Sequence, residues 1–233
     1  MGKMIDIETL GHDGSFQAYC AEPAGTPKAA IIVIQEIFGV NAGIRAKADS
    51  LAADGYLALA PDLFWRIEPG IELDPDVPEQ MQRGFDLFGK FDQTLGVADI
   101  EATIKAARAL LGGNGKVGAV GYCLGGRLAY MTAARTDVDA SVGYYGVGID
   151  GLLGESHAIA RPLLLHVAQE DGFVPKDAQA RMHEGLDGHP KVMIVDYPGL
   201  DHGFATQFGA RRDEEGARLA DSRTAAFFAE HLA

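Results

Sequence analysis

The sequence predicts an α/β fold, with a mostly parallel central sheet and helices on both faces, and three observations carry that prediction. Short apolar runs rich in Val, Ile, Leu and Ala recur at residues 29–35, 57–61, 116–122, 140–145, 163–168 and 192–197. They are continuous rather than alternating, which marks strands buried on both faces. Helical patterns fill the intervals at 42–54, 97–111, 125–135, 177–186 and 213–232. Strand alternating with helix implies crossover connections and parallel pairing. The N-terminus differs: residues 4–9 and 16–21 alternate about Gly11-His12-Asp13-Gly14, which predicts an antiparallel hairpin at the sheet edge. Residues 67–80, acidic and Pro-containing, fit neither period and read as a long connection of the kind that often carries function.

Composition narrows the class. A chain of 233 residues that is 47% hydrophobic can bury a large core, and no repeat or linker interrupts it, so residues 1–233 are expected to form a single domain. A net charge of -13 disfavours nucleic acid and anionic membrane as partners. No apolar run approaches the roughly 18 residues that span a bilayer. The start, Met1-Gly2-Lys3-Met4-Ile5-Asp6, lacks the apolar stretch of a signal peptide, so a cytoplasmic location is expected. There Cys20 and Cys123 would remain thiols. No metal-ligand spacing or dinucleotide glycine pattern is present, so neither metal nor cofactor is expected. A monomer is compatible with the sequence, which does not fix the oligomeric state.

The chemistry concentrates where the strand at 116–122 meets the helix at 125–135. Gly121-Tyr122-Cys123-Leu124-Gly125-Gly126 has the G-x-C-x-G shape of a nucleophile elbow with cysteine in the usual serine position. A strand turning at once into a helix crowds the neighbouring backbone, so glycine is required beside the nucleophile. The turn presents the sulfur at the positive end of the following helix, where a thiolate is stabilised. The alternative for Cys123 is a small buried hydrophobe.

A cysteine nucleophile needs a base and a group that orients the base. In open parallel sheets both belong in loops after the carboxyl ends of strands. Asp171 follows the strand at 163–168, and His202 follows the strand at 192–197, flanked by Leu200-Asp201 and Gly203-Phe204. Of seven histidines, only His202 combines a strand-end loop, a neighbouring glycine and this order. Nucleophile, acid, histidine is the chain order of the α/β-hydrolase fold. In that fold the loop after the first parallel strand, here Gln35-Glu36-Ile37-Phe38-Gly39, supplies one oxyanion donor, and the residue after the nucleophile supplies the other. Ile37 and Leu124 are the expected donors. Glu36 is an unusual residue for an oxyanion loop; it would either bond or exchange protons with the Cys123 thiol, or cap the following helix.

Assembled, these residues make the chain resemble the dienelactone hydrolase family, the carboxymethylenebutenolide hydrolases. The likeness runs nearly end to end: residues 35–41, Pro61-Asp62-Leu63, residues 118–126 and 142–148, Asp171 with Phe173-Val174-Pro175, and His202 with Phe204-Ala205. The resemblance implies a Cys123-His202-Asp171 triad with Glu36 as partner of the cysteine. It also implies hydrolysis of an enol lactone to an unsaturated keto acid, maleylacetate for the best-known members. The small-molecule partner would then be an ester or lactone, lined by Phe38 and Tyr145. The likeness fails where the family holds a substrate carboxylate with two arginines, because those positions are Met81 and Thr206 here. Phe85 and Phe88 stand where a tyrosine and a tryptophan are expected. Arg83, or Arg66, is a candidate substitute anchor, since only a guanidinium fork grips a carboxylate bidentately.

Three rival readings remain open on the sequence. A carboxylesterase for neutral esters or other small lactones would use the same machinery. A cysteine amidotransferase also carries its nucleophile on an elbow, but usually places Glu two residues after the histidine, where this chain has Phe204. A non-hydrolytic, redox-sensitive binding protein could use the thiol beside Glu36 as a peroxide-responsive group.

Overall fold

The computed structural model describes residues 2–113 and 115–233. The chain divides into two compact units, Met1–Gly118 and Ala119–Ala233.

In the first unit β1 (Lys3–Glu8) and β2 (Ser15–Ala21) form an antiparallel hairpin, in register from Lys3 opposite Cys20 to Glu8 opposite Ser15. The turn closes through Thr9, whose N–H donates to the Gly14 carbonyl at 3.0 Å and whose hydroxyl donates to Asp13 at 2.6 Å. β2 pairs antiparallel with β4 (Leu57–Pro61), which pairs parallel with β3 (Ala30–Ile34), so the hydrogen-bonded order is β1-β2-β4-β3. Every residue of β3 and β4 is buried, which is why both read as unbroken apolar runs. Ile7, Phe16 and Ala18 of the hairpin pack on Ala102 of α3 (Gln93–Leu110). α1 (Ala42–Ala53) starts where Asn41 Oδ1 accepts the Ile44 N–H at 3.1 Å, satisfying a donor the helix cannot pair internally.

Two stretches depart from the sequence pattern. α3 begins before residue 97 because Asp92 Oδ1 accepts the N–H groups of both Thr94 and Leu95 and caps a turn that the apolar period does not mark. Residues 67–80 are tied down by backbone: Leu73 N–H donates to the Phe38 carbonyl, Asn41 Nδ2 donates to the Leu73 carbonyl, and Gly70 N–H donates to Asp62. The chain then enters α2 (Pro78–Lys90), an amphipathic helix that is not among the helical stretches expected from the sequence and whose Gly84 and Gly89 lower its propensity. Packing decides instead. A Cβ at Gly84 would lie 3.1 Å from the Ile37 carbonyl oxygen and 3.2 Å from the Phe38 ring, so α2 closes directly on the loop after β3.

β5 (Val117–Tyr122) runs from the end of the first unit into the second, where it turns at Cys123 into α4 (Leu124–Arg135). β6 (Ala140–Tyr144), β7 (Leu163–Ala168) and β8 (Val192–Tyr197) pair in parallel, with Ser141 opposite Leu163 and Leu163 opposite Val192. Their order is β5-β6-β7-β8. A core cluster joins Tyr130 of α4, Leu163 and Leu165 of β7, and Met182 and Leu186 of α5 (Lys176–Leu186). It also takes in Ile149, which opens a 3₁₀ helix over Ile149–Ala158 where the sequence shows no helical period. α6 (Glu214–His231) is capped by Asp213, whose Oδ1 accepts the Gly216 N–H at 2.7 Å. Among the described residues no helix is long and apolar enough to cross a membrane.

Candidate active site

The elbow follows from two close approaches in the second unit. A Cβ on Gly121 would lie 1.9 Å from the Gly125 carbonyl oxygen, and one on Gly126 would lie 2.4 Å from the Tyr144 carbonyl oxygen. Only glycine fits either place. Between them Cys123 takes φ 55° and ψ -114°, a conformation few residues with a Cβ adopt, and its N–H is anchored on the Tyr144 carbonyl at 3.0 Å. The strain holds a half-buried thiol at the N-terminus of α4. Leu124 is the first residue of that helix, so its N–H is one of the donors α4 cannot satisfy internally.

Asp171 and His202 lie in the loops that follow β7 and β8, and both are buried. Asp171 divides its carboxylate. Oδ1 accepts the N–H groups of Phe173 at 2.8 Å and Val174 at 3.2 Å, while Oδ2 faces His202 Nδ1 at 2.8 Å. With Nδ1 committed to Asp171, Nε2 is left for the Cys123 side chain, to which His202 also hydrogen-bonds. Thus His202 of the second unit neighbours both Asp171 and Cys123.

The charge of that relay follows from its partners. Burial pulls the His202 pKa down, but the negative charge of Cys123, the hydrogen bonds to Asp171 and Cys123, and the charge of Asp171 together outweigh it, and His202 is pushed up to about 10. The imidazole is therefore held as imidazolium next to the sulfur when the sulfur is a thiolate. Asp201 adds a brace that sequence order does not reveal: its Oδ1 accepts the N–H of His202 at 2.6 Å and of Gly172 at 3.2 Å, tying the loops after β7 and β8 together. These backbone donors hold the Asp201 carboxyl below its ordinary range.

Aromatic rings enclose the histidine. Tyr145, at φ 38°, puts its ring 5.0 Å from the imidazole and 5.6 Å from Phe204. Phe173 packs on the imidazole at 4.8 Å and remains 42% exposed. The Arg211 guanidinium lies 5.8 Å from the Phe173 ring centre, and one of its N–H groups reaches the His202 carbonyl at 3.4 Å. Arg212 is bound to both carboxylate oxygens of Glu214, at 2.8 and 3.1 Å, and to the Thr206 carbonyl at 2.7 Å. Thr206 Oγ1 is buried with no hydrogen-bond partner among the described residues.

The other sequence-predicted site residues belong to the first unit. Glu36, Ile37 and Phe38 follow β3 and are buried. The preceding Gln35 braces the loop, accepting the Leu63 N–H at 3.0 Å and donating to the Glu36 carbonyl at 3.3 Å. Arg83 and the half-buried Phe88 lie on α2 with the more exposed Phe85, and Arg83 is ion-paired with Glu68 at 2.6 Å. Arg66 is bonded to the buried Asp99 and lies over the Trp65 ring at 4.3 Å. Among the described residues no group of three His, Cys, Asp or Glu side chains could hold a metal ion.

Comparison with known proteins identifies the family. The model of the dienelactone hydrolase family matches residues 16–232. A Pseudomonas putida carboxymethylenebutenolidase is 40% identical over 224 residues, covering 96% of this chain and 95% of the relative. An Azospirillum brasilense protein assigned as a carboxymethylenebutenolidase is 47% identical over 232 residues, covering 98% of this chain and all of its own. A solved Klebsiella pneumoniae structure assigned as a dienelactone hydrolase superposes with TM-score 0.85 at 30% identity, covering 99% of this chain and 98% of the other.

Proposed function

The chain belongs to the dienelactone hydrolase family and is a hydrolase of the carboxymethylenebutenolidase kind with the α/β-hydrolase fold, and from that premise we propose that it opens an enol lactone, or cleaves a related ester, through a thioester on Cys123. The match of one family model across residues 16–232 supports reading the chain as one catalytic domain.

The observation that carries the proposal is the Cys123-His202-Asp171 relay, with His202 held at 2.8 Å by Asp171 and hydrogen-bonded to the sulfur of a strained elbow. In the first half-reaction the Cys123 thiolate attacks the carbonyl carbon and a C–S bond forms. The Leu124 N–H stabilises the oxyanion, and we assign the second donor to Ile37. Collapse breaks the carbonyl C–O bond, and His202 gives its proton to the departing enol oxygen. In the second half water attacks the thioester carbonyl while His202 takes the water proton, and collapse breaks the C–S bond with the Cys123 thiolate leaving, which restores the thiolate beside protonated His202. Asp171 fixes the imidazole tautomer throughout. Glu36 is assigned as the proton partner of the Cys123 thiol on the family resemblance.

Replacing the nucleophile tests the proposal. Cys123→Ala should fold with the wild-type circular dichroism spectrum and lose about 10⁶ in kcat on any ester or lactone the enzyme turns over; turnover within tenfold of wild type would refute the thioester. Neutral esters are the rival substrate class, because Met81 and Thr206 stand where the family resemblance implies arginines and Arg83 is held by Glu68.

A further inference from the structure

We propose that the first unit carries a second ligand site, built from none of the residues assigned to catalysis, that takes a primary organic ammonium on an aromatic body. Its anchor is the buried carboxylate of Asp62.

The site is a cavity of about 470 Å³ between the β1–β2 hairpin, Arg45 of α1 and the segment from Asp62 to Glu72. Phe16, Val40, Trp65 and Ile71 supply its apolar walls, and the rings of Phe16 and Trp65 stack at 5.8 Å. That size admits a ring with a short side chain. The walls are tied to their neighbours before any ligand arrives. Gly39 bridges to Glu72, and the Leu73 N–H donates to the Phe38 carbonyl at 2.9 Å. A preformed cavity spares a ligand the cost of ordering the chain around it.

The sign of the ligand follows from a comparison of buried acids. Among the described residues three aspartates are buried: Asp62, Asp99 and Asp171. Asp99 is paired with Arg66, and Asp171 with His202. Asp62 is 4% exposed and has only backbone partners, with Oδ1 accepting the Phe64 N–H at 3.0 Å and Oδ2 the Gly70 N–H at 2.7 Å. Among the described residues no Lys, Arg or His pairs with it. Neutral donors meet part of its hydrogen-bonding capacity but leave its charge without a counter-ion away from water, a costly state. Burial accordingly holds the Asp62 carboxyl above its ordinary range. A purely bracing role accounts for the two N–H bonds and not for the missing cation. A carboxylate offers about four acceptor positions, so each oxygen keeps one for a ligand.

The other charges of the lining do not reverse this. Arg45 and Glu72 are bonded to each other, and Arg45 Nη1 also donates to the Val40 carbonyl at 2.8 Å. That pair cancels, and the lining keeps the negative charge of Asp62. The net charge of -13 draws cations toward the molecule. Aromatic walls suit an ammonium group and the body that carries it. Among the described residues no three His, Cys, Asp or Glu side chains could hold a metal ion, so the cation that fits is organic.

Isothermal titration calorimetry with 2-phenylethylammonium, 2-phenylethanol and 3-phenylpropionate tests the site, because the three probes vary charge on one aromatic body. The ammonium should bind one per chain and at least tenfold tighter than either of the others. Asp62→Asn should weaken ammonium binding tenfold or more while leaving the alcohol unchanged. Ser15 lines the cavity from an exposed position on β2, so Ser15→Trp fills the space without touching the Asp62 turn and carries the test if Asp62→Asn does not fold. It should abolish ammonium binding in a protein with the wild-type circular dichroism spectrum. Alcohol or carboxylate binding as tight as the ammonium would overturn the assignment of charge. Absence of saturable ammonium binding, or wild-type affinity in either folded variant, would overturn the site itself. Each result is independent of turnover by Cys123.

Discussion

Two buried histidines in the second unit differ in nearly everything except burial. His166 sits inside β7, 1% exposed, with Nδ1 at 2.8 Å from the Tyr197 hydroxyl and Nε2 at 2.9 Å from the Thr224 hydroxyl. His202 sits in the loop after β8, 7% exposed, between the Asp171 carboxylate and the Cys123 sulfur. Burial lowers both pKa values. At His166 nothing opposes it and the charge of Arg223 adds to it, so the pKa falls to about 3. At His202 the interactions with Cys123 and Asp171 reverse the sign and raise it to about 10. Burial by itself makes a neutral structural histidine; only a partner that can carry negative charge makes one that moves protons.

The contrast is broken most directly by removing each ring. His202→Ala should cost about 10⁶ in kcat with the fold intact. A loss of that size in folded His166→Gln would mean that the β7 histidine belongs to the catalytic machinery and not to the core. Next in size is the orienting carboxylate: Asp171→Asn should lower kcat by about 10⁴ while leaving KM for neutral esters close to wild type. A loss below tenfold would show that His202 does not depend on Asp171 for its tautomer.

Stability against pH separates the two rings by sign. An unfolded chain protonates His166 below about pH 6.5, whereas the folded protein resists until about pH 3. The unfolded state binds more protons in that window, so the contribution of neutral His166 is present above pH 6.5 and is lost as pH falls toward 3. The loss is of order 5 kcal/mol. His166→Gln, which cannot titrate, should flatten the acid limb of the denaturant-unfolding profile by about that amount; an unchanged acid limb would contradict the assignment. For His202 the folded pKa is raised, so its contribution is present below about pH 6.5 and is lost as pH rises toward 10.

Much of this was legible in the chain because it rests on periodicity and order. The buried strands read as continuous apolar runs, and Cys123, Asp171 and His202 read as strand-end residues in the hydrolase order. What escaped the sequence depends on tertiary contact. α2 contains two glycines and begins at a proline, and its place is set by Gly84 against Ile37 and Phe38. The 3₁₀ helix has one buried residue, Ile149, too few for a period. Asp201 acts through backbone N–H groups of two loops distant in sequence, and Arg211 reaches His202 by way of Phe173. No spacing rule links residues that meet through a third. Conversely, Arg83 looked available in the sequence because Glu68, fifteen residues away, gives no sign of pairing with it.

The central claim is that the charge of His202 is set by Cys123 and Asp171, and an NMR titration of the ring resonances in wild type and Cys123→Ala tests it in one experiment. The account predicts that wild-type His202 stays protonated past pH 8, that His166 stays neutral below pH 5, and that Cys123→Ala lowers the His202 pKa while leaving His166 unmoved. Both rings titrating together near pH 6.5, or a His202 pKa unchanged by loss of the sulfur, would contradict it.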